Sequence, residues 1–230
     1  MIEVTYVDHM GSDLSVVNAA RVSFGKKSEA HSWAWADEGA KSLKGRPMMP
    51  VLVEKDTKLI YYLAKHKHMS PFGHAFASFH VKAPVFVARQ LVKHKFLRWN
   101  EISRRYVDDD PEFYVPDVWR GKSEDKKQGS EGVVDAIRPS FIRNMMESSQ
   151  EDYQYLIDKG VCPEQARMIL PQSMMTEWYW SGSLDAFSDM CRLRCASDTQ
   201  EETQCVSQKI ALKMGELFPV SWGALVNVNS

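Results

Sequence analysis

"HAFASFHVKAPVFVARQLVKHK", residues 74–95, changes its period in the middle. Ala75, Ala77, Phe79 and Val81 alternate with His74, Phe76, Ser78 and His80, the two-residue repeat of a strand with one buried face. The strand is expected to end at Ala83. Pro84 suits a first helical position, where a missing N–H leaves no bond unmade, so 84–95 reads as a helix leaving the strand directly. Gln90, Lys93 and His94 then share one stripe. A half-buried strand running straight into a helix points to an α+β fold.

Upstream, "IEVTYVDHM" (2–10) alternates like a strand, and "LSVVNAARVSFGK" (14–26) reads as a short helix entering a Ser-Phe-Gly turn. "DTKLIYYLAKHKH" (56–68) predicts a helix starting at Asp56, with Leu59, Tyr62 and Leu63 on one face. Downstream, 107–133 is polar and turn-rich and reads as a long loop or lid. Helical periodicity resumes over 133–160, with a kink expected at Pro139 and a stop at Gly160. Pro163 and Pro171 bracket a helix in "CPEQARMILP" (162–171), and Ser183 caps another over 183–194. In 197–218, Asp198 and Glu201 form a capping-box-like start, and Val206, Ile210, Met214 and Leu217 line one face. The expectation is α+β: an antiparallel sheet from N-terminal strands, a helical bundle in the second half, and a single domain over 1–230.

Composition narrows the functional classes. The 230 residues carry 29 Lys+Arg against 30 Asp+Glu, a net charge of -1, so no global positive field draws polyanions. Cys162, Cys191, Cys195 and Cys205 lack CxxC or metal-ligand spacing, which fits reduced packing thiols of a cytoplasmic protein and no metal. No window approaches the length of a membrane span, and the first residues lack a leader's basic and apolar regions.

The basic residues are nevertheless concentrated. Between Lys82 and Arg105 stand seven Lys and Arg and one acid, Glu101. A solvated helix face, a nucleic-acid arm with Trp99 stacking on a base, and a site for a phosphorylated small molecule all fit that charge. Lys93, His94 and Lys95 would close the predicted helix, where the macrodipole favours cations. Ser103, Arg104 and Arg105 offer a hydroxyl beside two guanidiniums, a set suited to bidentate phosphate binding. A polymer-binding module predicts salt-sensitive binding.

"KHKFLRWNEISRRY" (93–106) resembles the signature of the flavin-dependent thymidylate synthases, in which an Arg-His-Arg triplet is followed by seven residues and a Ser. "NAARVSFG" (18–25), 68–90 and 166–194 resemble further segments of that family in order and spacing. The resemblance implies reductive methylation of dUMP to dTMP, with methylenetetrahydrofolate as carbon donor, FAD as hydride carrier and NADPH as reductant. It implies a homotetramer with FAD between subunits, and no Gly-rich dinucleotide loop speaks for another flavin site. The same apparatus could place a hydroxymethyl group if water captured the methylene stage.

Residue by residue, the resemblance places Arg194 beside the uracil as the catalytic group; the plain alternative is a surface arginine at a helix end. Gln90, Lys93, Glu101, Ser103, Arg104, Arg105, Arg167 and Arg194 would hold dUMP. His68, Ser70, Lys93, His94, Lys95, Glu101, Ser183 and Asp189 would hold FAD. Glu101 would accept from a ribose, orient Lys93 and Arg105, or simply offset nearby cations. The chain departs from the pattern with lysines at 93 and 95, Arg98, Gly73, Ser183 and Asp189, which bears on flavin affinity.

Overall fold

The computed structural model describes residues 1–35, 48–107, 109–124 and 129–227. The first half contains β1 (Glu3–Met10), α1 (Asp13–Arg21), β2 (Ser32–Trp35), β3 (Met48–Val51), α2 (Glu54–Lys65), β4 (Phe76–Pro84), α3 (Val85–Leu91) and β5 (Leu97–Glu101). After a hairpin of β6 (Arg120–Lys122) and β7 (Ser130–Val133) come α4 (Pro139–Asp158), α5 (Pro163–Ala166) and β8 (Met175–Ser183). The chain then continues through α6 (Leu184–Arg194), α7 (Glu201–Leu217) and α8 (Pro219–Val226).

Four strands form an antiparallel sheet in the order β1-β4-β8-β5. Alternation explains its sidedness: Ala77, Phe79, Val81 and Ala83 of β4 and Trp178 and Trp180 of β8 are buried. They face the layer of α3, α6 and α7, with α1, α2 and α8 closing the core behind. On the opposite face, Ser78 bonds Ser181 at 2.8 Å and His80 meets Glu177 at 3.0 Å. Trp99 of β5 stacks on Trp178 with centroids 4.4 Å apart and planes 18° from parallel.

Several local expectations change. The strand expected to end at Ala83 is present but spans Phe76–Pro84, because His74 closes the 3₁₀ turn Ser70–His74 before it; Pro84, with φ -67° and ψ 153°, is both its last residue and the residue before α3. The helix ends at Leu91, so Lys93, His94 and Lys95 lie in the turn beyond it, and Gln90 alone of the expected stripe is helical. Phe96, at φ 64°, redirects the chain into β5, a strand within the basic signature. The helix expected from Asp56 starts at Glu54; it buries Asp56, Ile60, Leu63 and Ala64 and leaves Tyr62 outward. Asp56 is buried because Arg21 of α1 pairs with it.

Pro139 does not kink a helix; it occupies the first turn of α4, where its absent N–H costs nothing. The segment 162–171 divides into α5 and a 3₁₀ turn, Arg167–Ile169. Ser183 does precede α6 as its cap residue, without a side-chain capping bond. No capping box forms at Asp198, since α7 opens at Glu201 after Gln200. The second half is not purely helical either, because β8 lies at the centre of the sheet.

Residues 107–133 are more than a loop, although 108 and 125–128 lie outside the described residues. Phe113 bridges Met174, Met175 donates its N–H to the Glu112 carbonyl at 2.7 Å, and the hairpin follows. Arg120 then reaches α7, with Nη1 on Glu201 at 2.6 Å and Nη2 on both oxygens of buried Glu202 at 2.8 Å. Among the described residues, no helix is long and apolar enough to cross a membrane.

Candidate active site

The antiparallel return of β5 along β8 places the two ends of the signature. Leu97 lies opposite Gly182 and Glu101 opposite Trp178. Leu97 thus starts one residue from the head of α6, while the turn before it reaches the other end of that helix. There Arg194 Nε donates to His94 Nε2 at 3.0 Å, and Arg194 Nη2 lies 3.5 Å from the Gln90 carbonyl. Three residues from α3, the turn and α6 meet at one point.

The electrostatics of this contact are defined. Burial, and then the Arg194 guanidinium, hold the His94 imidazole below its ordinary pKa, against the pull of Asp189. His94 is therefore neutral near neutral pH. With Nε2 accepting from Arg194, its proton resides on Nδ1.

Gln90 is also held by its side chain. Its Nε2 donates to Gln200 Oε1, and Thr203 Oγ1 donates to its Oε1 at 3.1 Å. Lys93 and Lys95 are exposed and have no ion-pair partner among the described residues. Asp189 is exposed and paired with Arg192, which offsets its charge.

A second group gathers beyond the far end of β5. Arg105 Nε is 3.9 Å from Glu164 Oε2, and Arg167 Nε donates to the Glu164 carbonyl at 3.3 Å. Both guanidiniums are exposed and loosely held. Ser103 shapes the turn between strand and arginines: its carbonyl accepts from the Tyr106 N–H at 2.9 Å and its hydroxyl from the Arg105 N–H at 3.3 Å.

Other expected members are engaged elsewhere. Glu101 orients neither Lys93 nor Arg105; it accepts from Trp99 Nε1 at 3.0 Å and Thr176 Oγ1 at 2.7 Å. Arg104 is 11% exposed and bonds Asp109 Oδ1 at 2.7 Å, lining a cleft with Lys82, Glu112 and Glu177. His68 follows the left-handed Lys67 at the end of α2, near Tyr62 and His66. Ser70 begins the 3₁₀ turn Ser70–His74, which packs on α1 and α6.

Sequence reading missed Gln200, Thr203 and the Arg120–Glu202 pair. Their only sequence mark is an acidic pair followed by a Thr in a helix's first turn, and nothing local ties those residues to Gln90 or Arg120. Cys191 is buried, its thiol pushed up by that burial and by Cys195, a poor environment for a thiolate nucleophile.

The profile of the thymidylate synthase complementing protein family matches residues 5–220. The chain is 38% identical over 222 residues to a flavin-dependent thymidylate synthase of Thermus thermophilus, covering 96% of this chain and 74% of that one. It is 35% identical over 228 residues to one of Kosmotoga olearia, covering 97% and 90%. Among solved structures it is similar to the UMP/dUMP methylase PolB of Streptomyces cacaoi bound with 5-Br dUMP. That likeness has a TM-score of 0.77 and 30% identity over 97% of this chain and 94% of that one. The same methylase bound with 5-Br UMP gives a TM-score of 0.79 at 29% identity, over 99% and 95% of the two chains. With the profile running over nearly its whole length and relatives this close, the chain belongs to the flavin-dependent thymidylate synthase family.

Proposed function

We propose that the protein methylates dUMP reductively to dTMP, taking the carbon from methylenetetrahydrofolate and using FAD as hydride carrier and NADPH as reductant. The observation that carries this reading is the meeting of His94 and Arg194 at 3.0 Å, which joins the signature triplet to the arginine of the last matched segment.

Arg194 brings a guanidinium cation to the site. Beside a uracil ring, that fixed charge stabilises the ionised imide and raises electron density at position 5, where the carbon is added. His94, locked by Arg194 as the Nδ1–H tautomer, presents one N–H donor. Gln90 touches the guanidinium through its backbone carbonyl and adds a carboxamide held by Thr203 and Gln200.

The residues fit a flavin. Lys93 and Lys95 carry charge not paired within the described chain, Ser183 stands at the head of an eleven-residue helix, and Asp189 is balanced by Arg192. These four, with His68, Ser70 and His94, would hold FAD, whose role when bound is to supply the hydride that completes the methyl group. Glu101 contributes from its fixed position under Trp99 and Thr176.

Arg105 and Arg167, with Ser103, would take the nucleotide phosphate, exchanging their loose contacts with Glu164 for charge-assisted bonds. They are separated from the His94 contact by β5, about 17 Å of chain at the rise of a strand. This supports a site assembled between chains of a homotetramer.

The similarity to a structure described as a UMP/dUMP methylase favours a second reading, in which UMP is accepted beside dUMP. The test is the visible spectrum of the protein with FAD, then anaerobically with NADPH and either nucleotide, followed by product mass. Flavin bands that bleach and a methylated nucleotide support the proposal. A hydroxymethylated product changes the reaction, and a folded protein that binds no flavin overturns it.

A further inference from the structure

The side chain of Gln90 is held from the first turn of α7 by residues outside the signature. A flexible glutamine side chain places its carboxamide only where neighbours hold it. In this protein both ends are held. Thr203 is fully buried, and its hydroxyl donates to Gln90 Oε1 at 3.1 Å, while Gln90 Nε2 donates to Gln200 Oε1. One amide proton and one lone pair remain for a ligand.

Thr203 is itself immobilised. It is the third residue of α7, directly after Glu202, whose two carboxylate oxygens receive the Arg120 guanidinium at 2.8 Å. Tyr114 adds a longer bond to Glu202 at 3.4 Å, and burial with the Glu202 charge pushes its pKa up to about 12, so it remains a donor. The fork anchors the helical turn, the turn fixes the hydroxyl, and the hydroxyl fixes the amide. The Gln90 backbone carbonyl meanwhile faces Arg194 Nη2 at 3.5 Å, so the residue whose side chain Thr203 holds also touches the cation through its main chain.

We infer that Thr203 is a positioning residue for nucleotide recognition, holding through its hydroxyl the Gln90 carboxamide in the place where it meets the pyrimidine nucleotide. The inference rests on the dUMP reading above. Arg120 and Glu202 support it at one remove, by holding the turn that carries Thr203.

The experiment is a double-mutant cycle on the FAD-loaded enzyme, reading dUMP affinity from the change in flavin fluorescence. Thr203→Val keeps the shape and removes the donor, and it is expected to weaken dUMP about five- to tenfold, the worth of one neutral hydrogen bond. Thr203→Ser restores the donor and is expected to restore the affinity. In a Gln90→Ala background, Thr203→Val should add nothing, because no amide is left to orient. Thr203→Ala carries the same comparison if the valine variant does not fold. Unchanged dUMP affinity without the hydroxyl overturns the inference, as does a loss that persists undiminished in Gln90→Ala. If the wild-type holoenzyme binds no dUMP, the functional reading itself has failed and this inference falls with it.

Discussion

Leu97 and Gly182 face each other across β5 and β8 so closely that a Cβ on Gly182 would lie 2.3 Å from Leu97 Cδ2 and 3.2 Å from the Phe96 carbonyl oxygen. The glycine is what lets the signature strand close on the sheet. Gly182→Ala is expected to lower stability by about 1–3 kcal/mol, the range for overpacking a buried contact. Denaturant unfolding measures it. In a Leu97→Ala background the added cost should shrink, since most of the clash is with that side chain.

Arg194→Ala should cut dTMP formation by about 10²–10³-fold, the usual loss when a preorganised electrostatic donor is removed, while NADPH still bleaches bound flavin. Arg194→Lys keeps the charge but loses the Nε donor to His94, and should fall between. Single-turnover product analysis beside anaerobic flavin reduction separates the two steps. Equal loss of both would place Arg194 in flavin binding instead.

His94 takes up its proton less readily folded than unfolded, because burial and Arg194 disfavour the imidazolium. The sign follows directly: the unfolded chain binds the extra proton, so stability is full above the ordinary imidazole value of about 6.5 and declines as pH falls below it. His9, lowered mainly by burial, contributes in the same direction. Unfolding curves at neutral and mildly acidic pH should show this loss, and His94→Asn should reduce it without abolishing it. NMR titration of the His94 ring in Arg194→Gln should show its pKa rising only part of the way, because burial is the larger cause.

Arg105→Ala and Arg167→Ala should each raise KM for dUMP about ten- to a hundredfold, the range for one charge-assisted contact. Glu164→Gln should act oppositely, lowering KM about two- to fivefold by removing a weak competitor for Arg105. Steady-state kinetics at fixed FAD decides it. A raised KM in Glu164→Gln would mean the carboxylate aligns the arginine for its ligand.

What the sequence disclosed followed the range of its signals. The alternation of 74–83 and the apolar stripe of Val206, Ile210, Met214 and Leu217 are local, and both became buried faces of the expected elements. The strand Met175–Ser183 has an equally good alternation, but it lies amid helical segments, and it is the pairing with β4 and β5 that marks it as a strand. The hairpin of β6 and β7 left no mark because β7 is exposed along its whole length. Pro139 misled because a proline both breaks helices and begins them, and only the preceding chain direction distinguishes the two. The site shows the same division: the basic triplet stands out in the sequence, whereas the bond of Thr176 to Glu101 and the hold of Thr203 on Gln90 join residues 75 and 113 positions apart.

The three indoles of Trp99, Trp178 and Trp180 give the molecule an optical gauge of its own. Trp99 lies flat on Trp178 and edge-on to Trp180, with centroids 4.4 Å and 5.7 Å away. Transitions of rings so close couple, and that coupling ends as soon as β5 lifts from β8. Near-ultraviolet circular dichroism can therefore follow the docking of the signature strand without any label, apart from the far-ultraviolet signal of the helices behind it.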